Sequence, residues 1–195
     1  MLADVIQWDK NLFLQLNGLH APWLDPIMDW ISNSMVPAFI ILALTLFYGV
    51  KFFNKKKGFI LIFFALLSVG ITDSVSSRIL KPGFERLRPC HNPEFLDKFH
   101  TVGNCWGGKF GFVSSHAANT FGIAFFLWLV FRKKNKYFSL LIPYAALVSY
   151  TRIYLAKHYP LDLVGGAVLG ALSAWLLYFA WSRWILGEKS LQNPQ

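Results

Sequence analysis

The chain has 195 residues, of which 55% are apolar and only 15% carry a charge. So few charges cannot cover the surface of a water-soluble globule, and the apolar content excludes a disordered chain. The net charge of +9 would suggest a nucleic-acid partner in a soluble protein, but here the positions of the cations matter more than their sum. These numbers favour a single small membrane domain that comprises residues 1–195. They do not favour a nucleic acid as a partner.

Residues 1–29 predict a helix with two different faces. The apolar positions recur at helical spacing and are Leu2, Val5, Ile6, Leu12, Phe13 and Leu16, whereas the opposite side carries Asp4, Gln7, Asp9, Asn11 and Gln15. This pattern is typical of an amphipathic helix at the membrane interface. One alternative is a helix packed across the ends of a bundle. Another is a sixth span that begins near Trp23 and breaks around residues 33–34.

Five apolar runs follow, and each is nearly free of charge. They cover residues 30–50, 58–80, 110–131, 137–151 and 163–182, and a helix crosses a bilayer with about 20 apolar residues. We therefore expect an all-α, polytopic membrane helix bundle with five transmembrane helices, or six if the N-terminal region also crosses. In the last run, Gly166 and Gly170 form a small-xxx-small pair, which favours close packing within the bundle over a dimer interface.

Basic residues cluster in two loops that face the same side if every run crosses once. The first cluster lies between the first two runs and contains Lys51, Lys55, Lys56 and Lys57. The second lies between the third and fourth runs and contains Arg132, Lys133, Lys134 and Lys136. The excess of cations in cytoplasmic loops makes this side the cytoplasm. Residues 81–109 and 152–160 then face outward, towards the periplasm if the membrane is a bacterial inner membrane.

Polar residues gather at the outward ends of these runs, in three clusters. They are Lys81 with Arg88; Ser114, Ser115 and His116; and Arg152, His158 and Asp162. The three cations can neutralise a phosphate dianion, and the two serines precede a helix, where N–H groups and the helix dipole favour an anion. Each residue has a structural reading when taken alone, as an interfacial anchor, a hydrogen-bonded histidine or a helix cap. Together they indicate an anionic ligand and proton-coupled chemistry.

Two histidines and one carboxylate could supply the proton transfers. Pro160 fits the first turn of the last helix, so His158 stands just outside that helix and Asp162 lies within it. Asp162 could accept the Nδ1–H of His158 and leave Nε2 as a nucleophile. His116, on another helix, could protonate a leaving oxygen.

The order and spacing of these residues resemble the type-2 phosphatidic acid phosphatase superfamily. The first family motif, K-x6-R-P, runs from Lys81 to Pro89. The second, usually P-S-G-H, reads V-S-S-H at residues 113–116, and the third, usually S-R-x5-H-x3-D, reads T-R at residues 151–152 before His158 and Asp162. The motifs span residues 81–162, and their departures from the family pattern remove no charged or proton-transferring group.

The resemblance implies metal-independent hydrolysis of a phosphomonoester or diphosphate on a membrane lipid, without a cofactor. His158 resembles the nucleophile that forms a phosphohistidine, Asp162 the residue that orients it, and His116 the general acid that later acts as base. The groups that would hold the phosphoryl oxygens are Lys81, Arg88, Arg152 and the amides of Ser114 and Ser115. Candidate substrates are undecaprenyl diphosphate, phosphatidylglycerol phosphate, phosphatidate and lipid A phosphate. The alternative is a transporter or flippase that binds a lipid phosphate without hydrolysing it, although such a protein needs no proton-transfer groups.

Cys90 and Cys105 both lie in the outward loop. In an oxidising periplasm they favour a disulfide, which would close a loop of about 15 residues. A zinc site completed by His91 and His100 and a pair of free thiols are the alternatives.

Overall fold

The regular secondary structure of this protein is helical. A computed structural model describes residues 1–95, 98–105 and 107–187, and these residues form helices and one isolated β-bridge between Leu87 and Phe110. The main helices are α1 (Leu2–Asn17), α2 (Asp25–Asn33), α3 (Val36–Phe52), α4 (Lys55–Phe84), α5 (Ser115–Phe131), α6 (Leu141–Tyr154) and α7 (Pro160–Ala180). The predicted all-α architecture is confirmed.

Two helices are long and apolar enough to cross a membrane. The mean hydropathy of the most apolar window is 2.0 in α4 and 1.8 in α7 when α7 is continued to Ile185. Helices α2 and α3 pass the same criterion together, as one broken span, whereas α5 and α6 have only 17 and 14 residues. The described part of the chain therefore has two or three membrane-capable helices, and the count of five spans stays a prediction.

A bend of 47° separates α2 from α3. The interruption lies between Asn33 and Val36, where the sequence predicts a break in a sixth span. Ser34 Oγ accepts a hydrogen bond from the amide of Val36 at 3.2 Å, and Pro37 in the first turn of α3 lacks the N–H needed to continue a preceding helix. The bend leaves Ser32 of α2 in contact with the end of α6.

The centre of the bundle is the contact of α5 with α7, and both also pack against α4. A methyl group at Gly166 would lie 2.6 Å from the carbonyl oxygen of Ser114, and one at Gly170 would lie 2.5 Å from that of Ala118. Only glycine allows the two backbones to approach this closely. The glycine pair thus serves packing within the bundle, and it brings the start of α5 beside the start of α7.

Helix α1 lies across the end of the bundle where α6 stops and α7 begins. The ring of Phe13 packs edge-on against Tyr159 with 5.5 Å between centroids. Asn17 Nδ2 donates hydrogen bonds to the carbonyl oxygens of Ile153 and Tyr154 at 3.0 and 2.9 Å, which satisfies two acceptors at the end of α6. The structure therefore shows the alternative of a helix packed across the bundle ends. A position at the membrane interface stays a prediction for its exposed apolar residues, which include Leu2, Val5 and Ile6.

Asp9, one of the residues predicted on the polar side of α1, is buried in the structure. Its side chain is 0% exposed, because it accepts a hydrogen bond from the amide of Leu161 at 2.9 Å and forms an ion pair with Arg86. Apolar periodicity does not distinguish a solvated carboxylate from one that is buried against a distant cation.

Candidate active site

The ends of four helices meet at one end of the bundle and carry the predicted polar clusters. Lys81 lies near the end of α4, Ser114 and Ser115 at the start of α5, Arg152 near the end of α6, and His158 and Asp162 at the start of α7. Lys81 Nζ donates a hydrogen bond to Ser115 Oγ at 2.8 Å, and the amides of Ser114 and His158 donate to the carbonyl oxygens of Asp162 and Arg152 at 3.0 and 3.2 Å. The structure thus brings the three motifs into one site.

The start of α7 positions His158 and Asp162. Pro160 opens the helix, and Asp162 Oδ2 accepts a hydrogen bond from the amide of Tyr159 at 3.0 Å. The same oxygen lies 3.3 Å from His158 Nδ1. If Nδ1 carries its proton towards this carboxylate, the lone pair of Nε2 is free to act as a nucleophile.

The surroundings of His158 favour the neutral form of its imidazole. Its side chain is buried, and burial together with the charges of Arg152, Arg88 and Lys81 lowers its pKa well below the usual value for histidine. A backbone hydrogen bond to Gly111 opposes this shift without cancelling it. Neutrality at physiological pH is what a nucleophilic histidine requires.

The segment before α5 packs directly against the His158–Asp162 pair. The amide of Gly111 donates to the carbonyl oxygen of Arg86 at 2.7 Å, and the amide of Arg88 donates to that of Lys109 at 2.9 Å. A methyl group at Gly111 would lie 2.9 Å from Asp162 Oδ2. A side chain at this position would therefore displace the carboxylate that faces His158, a constraint that the sequence did not reveal.

Arg88 and Arg152 both lie close enough to His158 to act on it electrostatically. Arg88 Nε donates to the carbonyl oxygen of Phe110 at 3.2 Å. Arg152 is only 4% exposed, and its Nη1 donates to Ser32 Oγ. Its buried Nε has no hydrogen-bond partner among the described residues. An unsatisfied buried donor beside two other cations suits an anionic ligand.

The two serines of the second motif differ in what they offer. The amide of Ser114 donates a hydrogen bond to the backbone carbonyl oxygen of Asp162. Ser114 Oγ caps α5 by accepting a hydrogen bond from the amide of Ala117 at 3.4 Å. The amides of Ser115 and His116 begin the first helical turn, where no intrahelical partner exists. The amide of Ser114 therefore has a partner within the protein, and anion binding by the amides of Ser114 and Ser115 stays a prediction.

His116 borders a cavity of about 390 Å³ between α3, α4, α5 and α6. The lining is mainly apolar and includes Leu42, Leu66, Ile123 and Leu141. His116 is half-buried and close enough to Arg152 and His158 to interact with both electrostatically. One histidine thus lies between the polar site and an apolar space.

Sequence reasoning missed three charged residues at the site: Arg86, Asp9 and Lys157. Arg86 Nη1 donates to Asp162 Oδ1 at 2.8 Å, and its position two residues before Arg88 is the one signal that could have drawn attention to it. Lys157 is 7% exposed, and burial together with the charge of Arg152 lowers its pKa. Its adjacency to His158 was visible in the sequence, but its burial was not.

Cys90 and Cys105 are joined by a disulfide in the structure, with 6.0 Å between their Cα atoms. His91 Nε2 lies 3.5 Å from Cys105 Sγ, so Cys90, His91 and Cys105 have the proximity that a metal site needs, but the bonded sulfurs are not thiolate ligands. His100, the other ligand considered for zinc, hydrogen-bonds instead to Asp25 at 2.9 Å.

Comparison with known proteins matches residues 57–185 to the PAP2 superfamily. Lipid A 4′-phosphatase of Porphyromonas gingivalis is 37% identical over 97% of this chain and 81% of that protein. Lipid A 4′-phosphatase of Bacteroides thetaiotaomicron is 39% identical over 91% of this chain and 77% of that protein. The fold is similar to the crystal structure of a PAP2-type phosphatidylglycerolphosphate phosphatase from Bacillus subtilis, with a TM-score of 0.69 and 20% identity over 91% of this chain and 86% of that one.

Proposed function

This chain belongs to the PAP2 superfamily and is a lipid phosphatase, and we propose that it hydrolyses a phosphomonoester of lipid A through a phosphohistidine at His158. The observation that carries the mechanism is a buried His158 whose Nδ1 lies 3.3 Å from Asp162 Oδ2, among cations that lower its pKa. This arrangement provides a nucleophile and the charges that bind its target at the same place.

The reaction would proceed in two displacements. Nε2 of His158 attacks phosphorus, and the bond from phosphorus to the sugar oxygen of the lipid breaks as His116 donates a proton to that oxygen. His116 then accepts a proton from water, whose oxygen attacks the phosphohistidine and releases inorganic phosphate. In the first displacement the electron pair of the broken bond stays on the sugar oxygen, and in the second it stays on His158 Nε2. His158 is therefore free again at the end of the cycle.

The protein's own cations and amides would stabilise the charge on the transferred phosphoryl group. Lys81 and Arg88 would bind its oxygens, and Arg152 would use the Nε that has no partner among the described residues. The first-turn amides of Ser115 and His116 add donors at the positive end of the α5 dipole. Phosphoryl transfer depends mainly on such positioning and charge stabilisation, and we expect no requirement for a metal ion.

The apolar cavity beside His116 supports a lipid rather than a soluble phosphate ester. Its lining from α3, α4, α5 and α6 offers an acyl chain a place within the bundle while the phosphate occupies the polar end. The names of the relatives from Porphyromonas and Bacteroides favour the 4′-phosphate of lipid A among the candidate substrates.

The distribution of cations favours an active site on the outer face of a bacterial inner membrane. The basic residues at 51–57 and 132–136 lie at the opposite end of α3, α4 and α5 from the active site. If these residues face the cytoplasm, the site meets lipid head groups of the outer leaflet.

The test is phosphate release by the purified protein in excess EDTA. The panel contains lipid A carrying its single phosphate at either the 4′ or the 1 position, phosphatidylglycerol phosphate, phosphatidate and undecaprenyl diphosphate. We expect the fastest turnover on the 4′-phosphate, and loss of turnover in a His158→Ala variant with an unchanged thermal unfolding temperature. Lipid binding without phosphate release would instead support the transporter hypothesis, and a strict need for added magnesium would contradict the assigned roles of the cations.

A further inference from the structure

We propose that Asp9 and Arg86 are positioning residues for the reaction, through which α1 fixes the carboxylate that orients His158. The inference rests on the proposed function. It assigns a catalytic consequence to the N-terminal helix, which contains none of the family's motifs and lies outside the residues matched to the family.

The contacts form a continuous chain of charges. Arg86 Nη2 donates to Asp9 Oδ2 at 2.5 Å, and Arg86 Nη1 donates to Asp162 Oδ1 at 2.8 Å. The other oxygen of Asp162 faces His158. One guanidinium therefore joins a carboxylate of α1 to the carboxylate of α7 that contacts the nucleophile.

Each oxygen of the two carboxylates has a separate task. Asp162 Oδ1 receives Arg86, which leaves Oδ2 for the amide of Tyr159 and for His158 Nδ1. Asp9 Oδ2 accepts a hydrogen bond from Arg86, and Asp9 Oδ1 accepts one from the amide of Leu161 in the first turn of α7. This division fixes the rotation of the Asp162 carboxylate, and with it the direction of the imidazole.

The charge balance explains why Arg86 and Asp9 must act together. Asp9 and Asp162 are both 0% exposed, and Arg86 lies between them. Burial raises the pKa of Asp9, and the hydrogen bond from Arg86 opposes the rise. Without Asp9, Arg86 would keep one carboxylate partner and lose the anchor that holds its Nη2. Without Arg86, the buried carboxylates of Asp9 and Asp162 would lose the cation that lies between them.

The ring of Tyr159 lies against the guanidinium of Arg86. The central carbon of Arg86 lies 4.3 Å from the centroid of that ring, a distance typical of cation–π contact. Tyr159 also packs against Phe13 of α1. Helix α1 therefore reaches the site by an ionic contact and by an aromatic one, and only the ionic contact ends on Asp162.

Asp9→Asn separates the charge of Asp9 from its role as an acceptor, because the amide oxygen can still receive the hydrogen bond from Leu161. Arg86→Gln removes the cation that joins Asp9 to Asp162. The matched control is Glu94→Gln, which breaks the ion pair between Glu94 and Lys10. That pair also joins α1 to the outward loop, but it makes no contact with Arg86 or Asp162.

The measurements are kcat and KM for the lipid substrate, the inhibition constant of inorganic phosphate, and the unfolding temperature. We expect kcat to fall about 10- to 100-fold in Asp9→Asn and in Arg86→Gln, because a small misplacement of the reacting group costs this much. KM and phosphate inhibition should stay within about twofold, since Lys81, Arg88 and Arg152 are untouched. The double variant should be no slower than the slower single variant, because both changes break one chain.

Two outcomes would overturn the inference. They are a kcat of Asp9→Asn equal to that of Glu94→Gln, or a fall in the kcat of Asp9→Asn accompanied by an equal weakening of phosphate inhibition. If Asp9→Asn is not recovered folded, Arg86→Lys replaces it, since lysine keeps the charge but cannot bridge both carboxylates; an unchanged kcat there counts against the inference. A wild-type protein that hydrolyses no lipid would refute the proposed function instead, and is distinguishable from all of these.

Discussion

His158 combines burial with a surrounding of positive charge. Both effects destabilise the imidazolium form, so the pKa of His158 lies below its usual value and the ring stays neutral as the pH falls. We therefore expect kcat/KM to show no inflection at the usual histidine pKa of about 6.5, and to decline only at lower pH. The measurement is the pH profile of kcat/KM between pH 4 and pH 9, and an acid limb at or above about 6.5 attributable to His158 would contradict it.

His116 has a role that depends on the leaving group. If it donates the proton to a sugar oxygen, His116→Asn should slow the first displacement on a lipid by about 10²- to 10⁴-fold, the usual range for a general acid. An aryl phosphate needs no such proton, because its phenolate leaves readily. We expect a burst of one phenolate per enzyme from the variant, followed by slow hydrolysis of the phosphohistidine.

The same variant provides its own control. Equal slowing of the burst on the aryl phosphate and of turnover on the lipid would show that His116 does not act as the acid. Unchanged phosphate inhibition would confirm that the variant still binds the anion.

At the scale of helices, the site depends on how closely α5 approaches α7. Gly170→Ala would place a methyl group 2.5 Å from the carbonyl oxygen of Ala118, so the helices must separate. We expect a loss of about 1–3 kcal/mol in stability, together with lower activity, because the starts of α5 and α7 carry the serine motif and Asp162. Thermal unfolding in detergent and phosphate release measure the two effects.

Gly70 of α4 offers a matched control. Nothing lies within 4 Å of a methyl group at this position, and alanine is a better helix former by up to about 1 kcal/mol. Gly70→Ala should leave both stability and activity unchanged or raise stability slightly. Equal losses in both variants would mean that the effect of Gly170→Ala is unrelated to helix approach.

Helix identity could be predicted from the sequence, whereas helix contacts could not. Apolar runs locate α3 to α7, and Asn33–Ser34 marks the bend because polar residues precede Pro37. The charge-free run that begins at residue 110 is longer than α5, because residues 109–111 pair with residues 86–88, and the helix begins at Ser115, where the two serines predict its start. Apolar composition records what is buried and does not report the backbone conformation.

The motif residues of the site were predicted because the family's chemistry fixes their types and spacing. Arg86 and Asp9 were not, because their contact joins residues 77 positions apart, and no local pattern records such a pairing. Lys157 escaped notice because a lysine beside a histidine reads as a solvated charge. The parts missed are those that depend on tertiary contact rather than on local sequence.

For the whole molecule, the two ends of the bundle differ in charge and in task. The end opposite the active site carries the basic clusters, which predicts that it faces the cytoplasm. We expect Thr101→Cys, in the loop between α4 and α5, to react with a membrane-impermeant maleimide in intact spheroplasts, and Lys56→Cys to react only after lysis. Both positions are exposed on the protein, so a difference in labelling reports the membrane.

These variants are made in a chain with Cys90→Ser and Cys105→Ser, and each must retain lipid phosphatase activity. Labelling of Lys56→Cys alone in intact spheroplasts would move the active site to the cytoplasmic face.

The most direct test of the account is to trap the phosphorylated enzyme. Wild-type protein is mixed with lipid substrate carrying a radiolabelled phosphate, quenched in alkali within the first turnover, digested and mapped by mass spectrometry. We predict label that is stable to alkali, labile to acid and located on His158, and absent from His158→Ala. Phosphate release at the normal rate with no label on His158 would show that water attacks the lipid directly, and would contradict the covalent mechanism.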